Sequence, residues 1–200
     1  MKTVIPLLLI LAGCSTPAPT TQPVAKIGPT PAEFKVQFDT SKGVFIVEVH
    51  RDWAPHGVDR IYELVENKFY DDARFFRVLR GFVVQWGIHK SPDTEALWRQ
   101  LQIIDDRVTQ SNLRGYVTFA TAGPNTRTTQ VFVNLRNNTQ LDGQGFAPFG
   151  KVTDGMDVVD ILYAGYGEQV QQNMVERQGN QYLESNWPKL DYIKTARVVP

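Results

Sequence analysis

Cysteine and charge imbalance are the two things this chain lacks most. It has one cysteine in 200 residues, Cys14. A single thiol closes no intramolecular disulfide and assembles no multi-cysteine zinc site. Lys plus Arg and Asp plus Glu are both 21, so no net charge draws the chain to nucleic acid or to an anionic membrane surface. No apolar run reaches the roughly 20 residues that a membrane-spanning helix needs. His50, His56 and His89 are scattered without the spacing of a metal motif and read as surface residues. There is no Gly-x-Ser-x-Gly elbow, and Cys14 sits in the leader, so covalent acyl transfer has no nucleophile. The glycines of Asp142-Gly143-Gln144-Gly145 are not followed by the Gly-Lys-Ser/Thr of a phosphate loop. Asp71-Asp72 and Asp105-Asp106 read as solvated or capping carboxylates. What is present is an ordinary globular composition, 42% hydrophobic and 21% charged, on a chain long enough to bury one real core.

The N-terminus reads as an address. Met1 to Cys14 carries one positive charge, a short apolar run from Val4 to Ala12, and a small-residue exit, the layout of a secretory signal. Leu11-Ala12-Gly13-Cys14 resembles the lipobox of bacterial lipoproteins. That resemblance implies a signal peptide over residues 1–13, cleavage before Cys14, and acyl chains on that residue; two or more such chains anchor stably. Ser15 stands where retention at the inner membrane of enteric bacteria usually shows Asp, which leans toward the outer membrane. The expected location is the cell envelope, lipid-anchored and facing the periplasm, or the outer side of a single membrane. An ordinary cleaved signal with a stray cysteine is the alternative. Residues 14–33, rich in Pro and Thr up to Pro31, read as an extended tether.

From Phe34 the pattern changes. FKVQFDT and VFIVEVH alternate as strands around Ser41-Lys42-Gly43, a hairpin signal. Pro55 opens a helix with Val58, Ile61, Tyr62 and Val65 on one stripe, through about Asn67. Ser91-Pro92 caps a short helical insert carrying Leu97, Trp98 and Leu101. Tyr116 to Ala120 and Gln130 to Leu135 are strands, and Phe149 to Val152 begins another. Asp154 caps a second helix with Val158, Val159 and Leu162 inward, ended by Gly165. Gln169 to Trp187 is polar and partly helical, and Leu190 to Val199 is a closing strand. Seven or eight short strands with two amphipathic helices predict a mainly-β single domain over residues 34–200. Its expected form is a closed antiparallel barrel with helical caps, a short helical insert and a partly helical C-terminal extension.

Three stretches remain without an ordinary role. In FFRVLRGFVVQWG, Phe75 to Gly87, two apolar runs meet at Gly81 and carry Arg77 and Gln85. Period-two alternation puts Arg77 on a face with Phe75 and Leu79, and Val83 on a face with Gln85. Read alone, Arg77 is a surface arginine whose stem covers the core. In GYVTFATAGPNTRTTQVFVNL, Gly115 to Leu135, a strand ends in small residues before a Pro-Asn turn. A strand bearing Gln130 and Phe132 on one face follows. Small residues there leave an open groove beside an amide and a phenyl ring. LDGQGFAPFGKV, Leu141 to Val152, has glycines suited to tight turns.

Together these blocks resemble the cyclophilins, the peptidyl-prolyl cis-trans isomerases, over about Phe34 to Val199. The resemblance implies an eight-stranded antiparallel barrel closed at each end by a helix. It also implies an activity that needs no nucleophile, metal or cofactor. Arg77 matches the arginine that donates to the prolyl nitrogen, and Gln85 and Gln130 match amides that hold the peptide backbone. Phe82, Val83, Phe132 and Leu141 match positions that grip the proline ring, with Val83 where methionine is common. Ala120 and Thr121 match the edge along which an extended substrate lies. Phe76 replaces the family's histidine beside the arginine, Thr121 replaces an asparagine, and Gln140 falls where larger eukaryotic members use tryptophan to bind cyclosporin. Phe146 is assigned to the pocket position near the turn that usually carries histidine.

The implied partners are proline-containing segments of folding envelope proteins and, through Cys14, a membrane. No nucleic acid is expected, and the chain reads as a monomer. Two other readings stay open: a catalytically weak module that holds proline-containing segments, and a structural envelope lipoprotein. Retention of Arg77 with Gln85 and Phe132 favours the enzyme, since a pure binder has no use for the arginine.

Overall fold

The computed structural model describes residues 28–200. The stretch read as a signal sequence, Cys14 and most of the stretch read as a tether lie outside the described residues. The fold begins with the hairpin that alternation predicts. Strands β1 (Glu33–Thr40) and β2 (Gly43–His50) pair antiparallel, Thr40 opposite Gly43. Phe34, Val36 and Phe38 of β1 and Phe45, Val47 and Val49 of β2 are buried, so one face of both strands enters the core. Phe38 and Phe45 stack across the pair with centroids 4.8 Å apart.

Helix α1 (Pro55–Glu66) buries Val58, Ile61, Leu64 and Val65 in the same core cluster as this hairpin. It has proline in its first turn and no side-chain cap of its own. Asp106 supplies the cap from a distant loop, its carboxylate accepting from the backbone N–H groups of His56 at 3.0 Å and Gly57 at 2.8 Å. The carboxylate also pairs with buried Arg127 at 3.1 Å, so the capping reading of Asp105-Asp106 holds for Asp106.

The remaining strands are β3 (Arg77–Leu79), β4 (Val83–Trp86), β5 (Tyr116–Phe119), β6 (Val131–Asn134), β7 (Pro148–Asp154) and β8 (Ile193–Val199). All pairings are antiparallel in the order β3-β4-β6-β5-β7-β2-β1-β8. Trp86 is fully buried at the centre, with Phe38, Phe45, Tyr70 and Phe75 edge-on to its ring at 5.5–6.4 Å.

Four expectations need correction. The barrel is not closed by a ladder: β3 and β8 are the edges of a curled eight-stranded sheet. The chain ahead of β3 meets the chain ahead of β8 through one isolated bridge, Arg74 to Tyr192. Flanking backbone bonds run from Phe75 N to Asp191 O, Asp72 N to Ile193 O and Ile193 N to Ala73 O. β3 offers only three residues, and its Val78 N–H is taken by Gly167 O at 3.2 Å.

Second, Phe75 does not share a face with Arg77. It is buried in the main core, and alternation begins only at β3, where Val78 points in and Arg77 and Leu79 point out. Third, the second helix is shorter than expected: α3 spans Met156–Asp160, with Gly155 rather than Asp154 at its N-cap. Gly155 has φ of 75°, and a side chain there would strike the backbone of Val44. Fourth, His89 is not a surface residue. Phe69 lies 5.0 Å from its ring, and burial lowers its pKa.

The insert forms α2 (Pro92–Trp98), with Trp98 buried and Leu101 beyond its end at 41% exposure. The extension forms α4 (Gln172–Gln178) and α5 (Asn180–Asn186). Their inner side makes a second cluster in which Val170, Val175, Leu183 and Leu190 pack on Phe76 and Ile88.

Candidate active site

Register places the site. Arg77 stands opposite Gln85, Gln85 opposite Phe132, and Phe132 opposite Thr118. This row crosses four strands on the outer face of the sheet. The adjacent row, Val78, Val84, Val133 and Val117, is buried beneath it. A side-chain period of two therefore puts a guanidinium, an amide and a phenyl ring side by side on an apolar base.

Beside this row is a cavity of about 160 Å³. Arg77, Gln85 and Thr121 give it polar groups, with Ala120 beside Thr121. Phe82, Val83, Phe132, Leu141 and Phe146 form the rest of its lining. Val83, Phe132 and Leu141 are a separate buried cluster with Phe82, Ala120 and Phe146 against it, and the Phe132 and Phe146 rings meet edge-on at 5.8 Å. Phe82 escapes the strand alternation because it belongs to the turn at Gly81, where φ is 72°. That position lays its ring 5.6 Å from the Arg77 guanidinium.

Arg77 Nη1 donates to Gln85 Oε1 at 3.2 Å, and Gln85 Nε2 donates to Gln130 Oε1 at 2.9 Å. Gln130 lines a neighbouring cavity of about 460 Å³ that shares Gln85, Ala120 and Thr121 with the first. Gly87 makes this closeness feasible. Its φ is 112°, and a Cβ there would lie 2.7 Å from the Cα of Gln130.

Two predicted residues behave differently. Phe76 does not line the cavity; it is 1% exposed in the cluster beneath the C-terminal extension. Thr121 is at the margin, but its hydroxyl is engaged within its own loop by Gly123 and Thr126.

Sequence reasoning missed the supports. Asn112 Nδ2 donates to Asp142 Oδ1 and to Phe146 O, each at 2.8 Å, pinning the loop that carries Leu141 and Phe146. Asn138 Nδ2 donates to Phe82 O and to Asn134 Oδ1, each at 2.9 Å. Burial tends to raise the Asp142 pKa, but the bonds from Ser111 and Asn112 outweigh it and hold the carboxyl below its usual value. Glu168 was also missed: Arg77 Nε and Nη2 donate to its Oε2 at 3.2 and 3.0 Å. Asn134 lay two residues from Phe132 on one strand face, a signal that could have found it. Glu168 is 91 residues from Arg77, and no periodicity connects them.

A curled antiparallel sheet with a small apolar pocket and an arginine at its rim defines a β-protein with a candidate ligand site. Comparison with known proteins narrows the class. Residues 35–180 match the family described as cyclophilin type peptidyl-prolyl cis-trans isomerase/CLD. The chain is 33% identical over 128 residues to peptidyl-prolyl cis-trans isomerase-like 1 of Rhizopus delemar, covering 62% of this chain and 77% of that one. It is 30% identical over 135 residues to peptidyl-prolyl cis-trans isomerase B of Escherichia coli, covering 64% and 82%. A crystal structure of a cyclophilin type peptidyl-prolyl cis-trans isomerase from Cryptosporidium parvum superposes with a TM-score of 0.61. That match has 19% identity and covers 84% of this chain and 98% of that one. The chain belongs to the cyclophilin-type peptidyl-prolyl cis-trans isomerase family.

Proposed function

We propose that this protein accelerates cis-trans rotation of X-Pro bonds in proteins folding in the cell envelope, from a lipid anchor on Cys14. Family membership supports the reaction, and the run from Met1 to Cys14 supports the location. The observation that carries the site is the row Arg77, Gln85, Phe132 beside an apolar cavity.

Rotation about a peptide bond faces a barrier of about 18–20 kcal/mol set by amide resonance. Uncatalysed X-Pro exchange therefore takes tens to hundreds of seconds. Each tenfold acceleration needs about 1.4 kcal/mol of binding preference for the twisted state. Twisting breaks the resonance and returns a lone pair to the prolyl nitrogen. A guanidinium N–H aimed at that nitrogen binds the twisted state better than either planar one, because a planar amide nitrogen is a poor acceptor. Phe82, Val83, Phe132, Leu141 and Phe146 hold the ring, so that rotation occurs about a fixed proline. Gln85 and Gln130 present amide groups to the substrate backbone, with Ala120 and Thr121 along its edge. No covalent step is involved.

The test is catalysed exchange of a proline-containing peptide by the full chain. The expected result is a first-order rate that rises in proportion to protein concentration. Exchange at the thermal rate with peptide still bound would instead establish a binding module without turnover.

A further inference from the structure

Three observations meet at the turn over residues 165–168. Gly167 O accepts from Val78 N at 3.2 Å, docking the turn on the open edge of β3. Gly167 has φ of 55°, a bend that favours glycine, and the next residue is Glu168. Glu168 Oε2 then accepts from two nitrogens of Arg77, Nε at 3.2 Å and Nη2 at 3.0 Å.

The turn has a firm mount. The Tyr166 ring lies against Trp187 at 5.0 Å, and both pack on the cluster formed by Phe76, Val170, Val175 and Leu183. Phe76, which turns away from the pocket, is thus the floor on which the extension sits. The extension in turn delivers a carboxylate to the neighbouring arginine.

We propose that Glu168 is a positioning residue for Arg77, fixing the guanidinium for the isomerisation; this rests on the activity proposed above. Arg77 is 25% exposed on a flexible stem, and leaving such a side chain free costs rotamer entropy whenever it must aim. Here the guanidinium is held on three sides, by Glu168, by Gln85 Oε1 and by the Phe82 ring. A guanidinium has five N–H groups. Among the described residues these contacts occupy Nε–H and one N–H on each terminal nitrogen, leaving one on each terminal nitrogen for a substrate. The Glu168 carboxylate is 65% exposed. Solvent screens its charge while its geometry persists, so it orients the donor more than it neutralises it. Donors placed in advance need no reorganisation when the bond twists.

The test is a double-mutant cycle on the full chain, with exchange of a proline peptide as the readout. Glu168→Gln is expected to lower kcat/KM about tenfold, in kcat rather than KM, and Glu168→Asp to recover part of the loss. In an Arg77→Ala background, Glu168→Gln should change nothing further, whereas a general effect on folding would lower the rate in both backgrounds. Equal rates for wild type and Glu168→Gln, or equal losses in both backgrounds, would overturn the positioning role and leave the proposed activity standing. A wild-type rate at the thermal background would overturn the activity itself, and with it this role.

Discussion

Gln85 lies directly opposite Arg77 in the antiparallel ladder, and its two side-chain polar atoms face different partners. Its oxygen accepts from Arg77 Nη1 at 3.2 Å, and its nitrogen donates to Gln130 at 2.9 Å. At 7% exposure the amide cannot exchange these partners freely for water. It joins the donor at the cavity's rim to the amide lining the next cavity.

Gln85→Ala should therefore act on catalysis more than on folding. It removes an orienting acceptor from Arg77 and the donor to Gln130 together. We expect kcat/KM to fall by about tenfold, the range of a lost positioning hydrogen bond. Steady-state exchange kinetics, beside a thermal melt showing near-normal unfolding, checks this.

Glu95 makes a prediction about pH. It is 1% exposed; its Oε2 accepts from His89 N at 2.7 Å, and its Oε1 has no partner among the described residues. Desolvation pushes its pKa from 4.5 up to about 7. With the folded pKa above the unfolded one, its contribution is fully present below about pH 4.5 and is lost as pH rises through about 7. The full span corresponds to about 3 kcal/mol. His89 has the opposite sign, because its lowered pKa costs stability as pH falls. The difference between wild type and Glu95→Gln isolates the carboxyl. Melting curves from pH 5 to 8 should show wild type losing stability relative to Glu95→Gln as pH rises.

The lipid anchor is tested by Cys14→Ser. The variant should leave the membrane fraction and appear in the soluble envelope fraction with its exchange activity unchanged. Fractionation followed by blotting reads this directly, and an unchanged distribution would count against acylation.

Much of this site was legible because strand alternation is a local rule. Val83 and Gln85 share a face by spacing alone, as do Gln130 and Phe132, and the cavity lies where the small residues Ala120 and Thr121 leave room. The hairpin of β1 and β2 was legible for the same reason. Legibility failed where irregular backbone takes over. Residues 72–75 bond to 191–193 instead of extending β3, which sends Phe75 into the core and Phe76 under the extension. Barrel closure was misjudged at the same seam. The bonds of Asn112 to Asp142 and Phe146 and the Glu168 contact join distant segments, and pairing of that kind leaves no period in the sequence.

The most direct measurement is the exchange rate of an X-Pro peptide with wild type and with Arg77→Ala at equal concentration. If the guanidinium stabilises the twisted bond, removing it should cost on the order of 10²-fold in kcat/KM, the scale of a lost transition-state donor. The peptide should still bind, because the cavity remains. Wild-type turnover retained by Arg77→Ala would contradict the account.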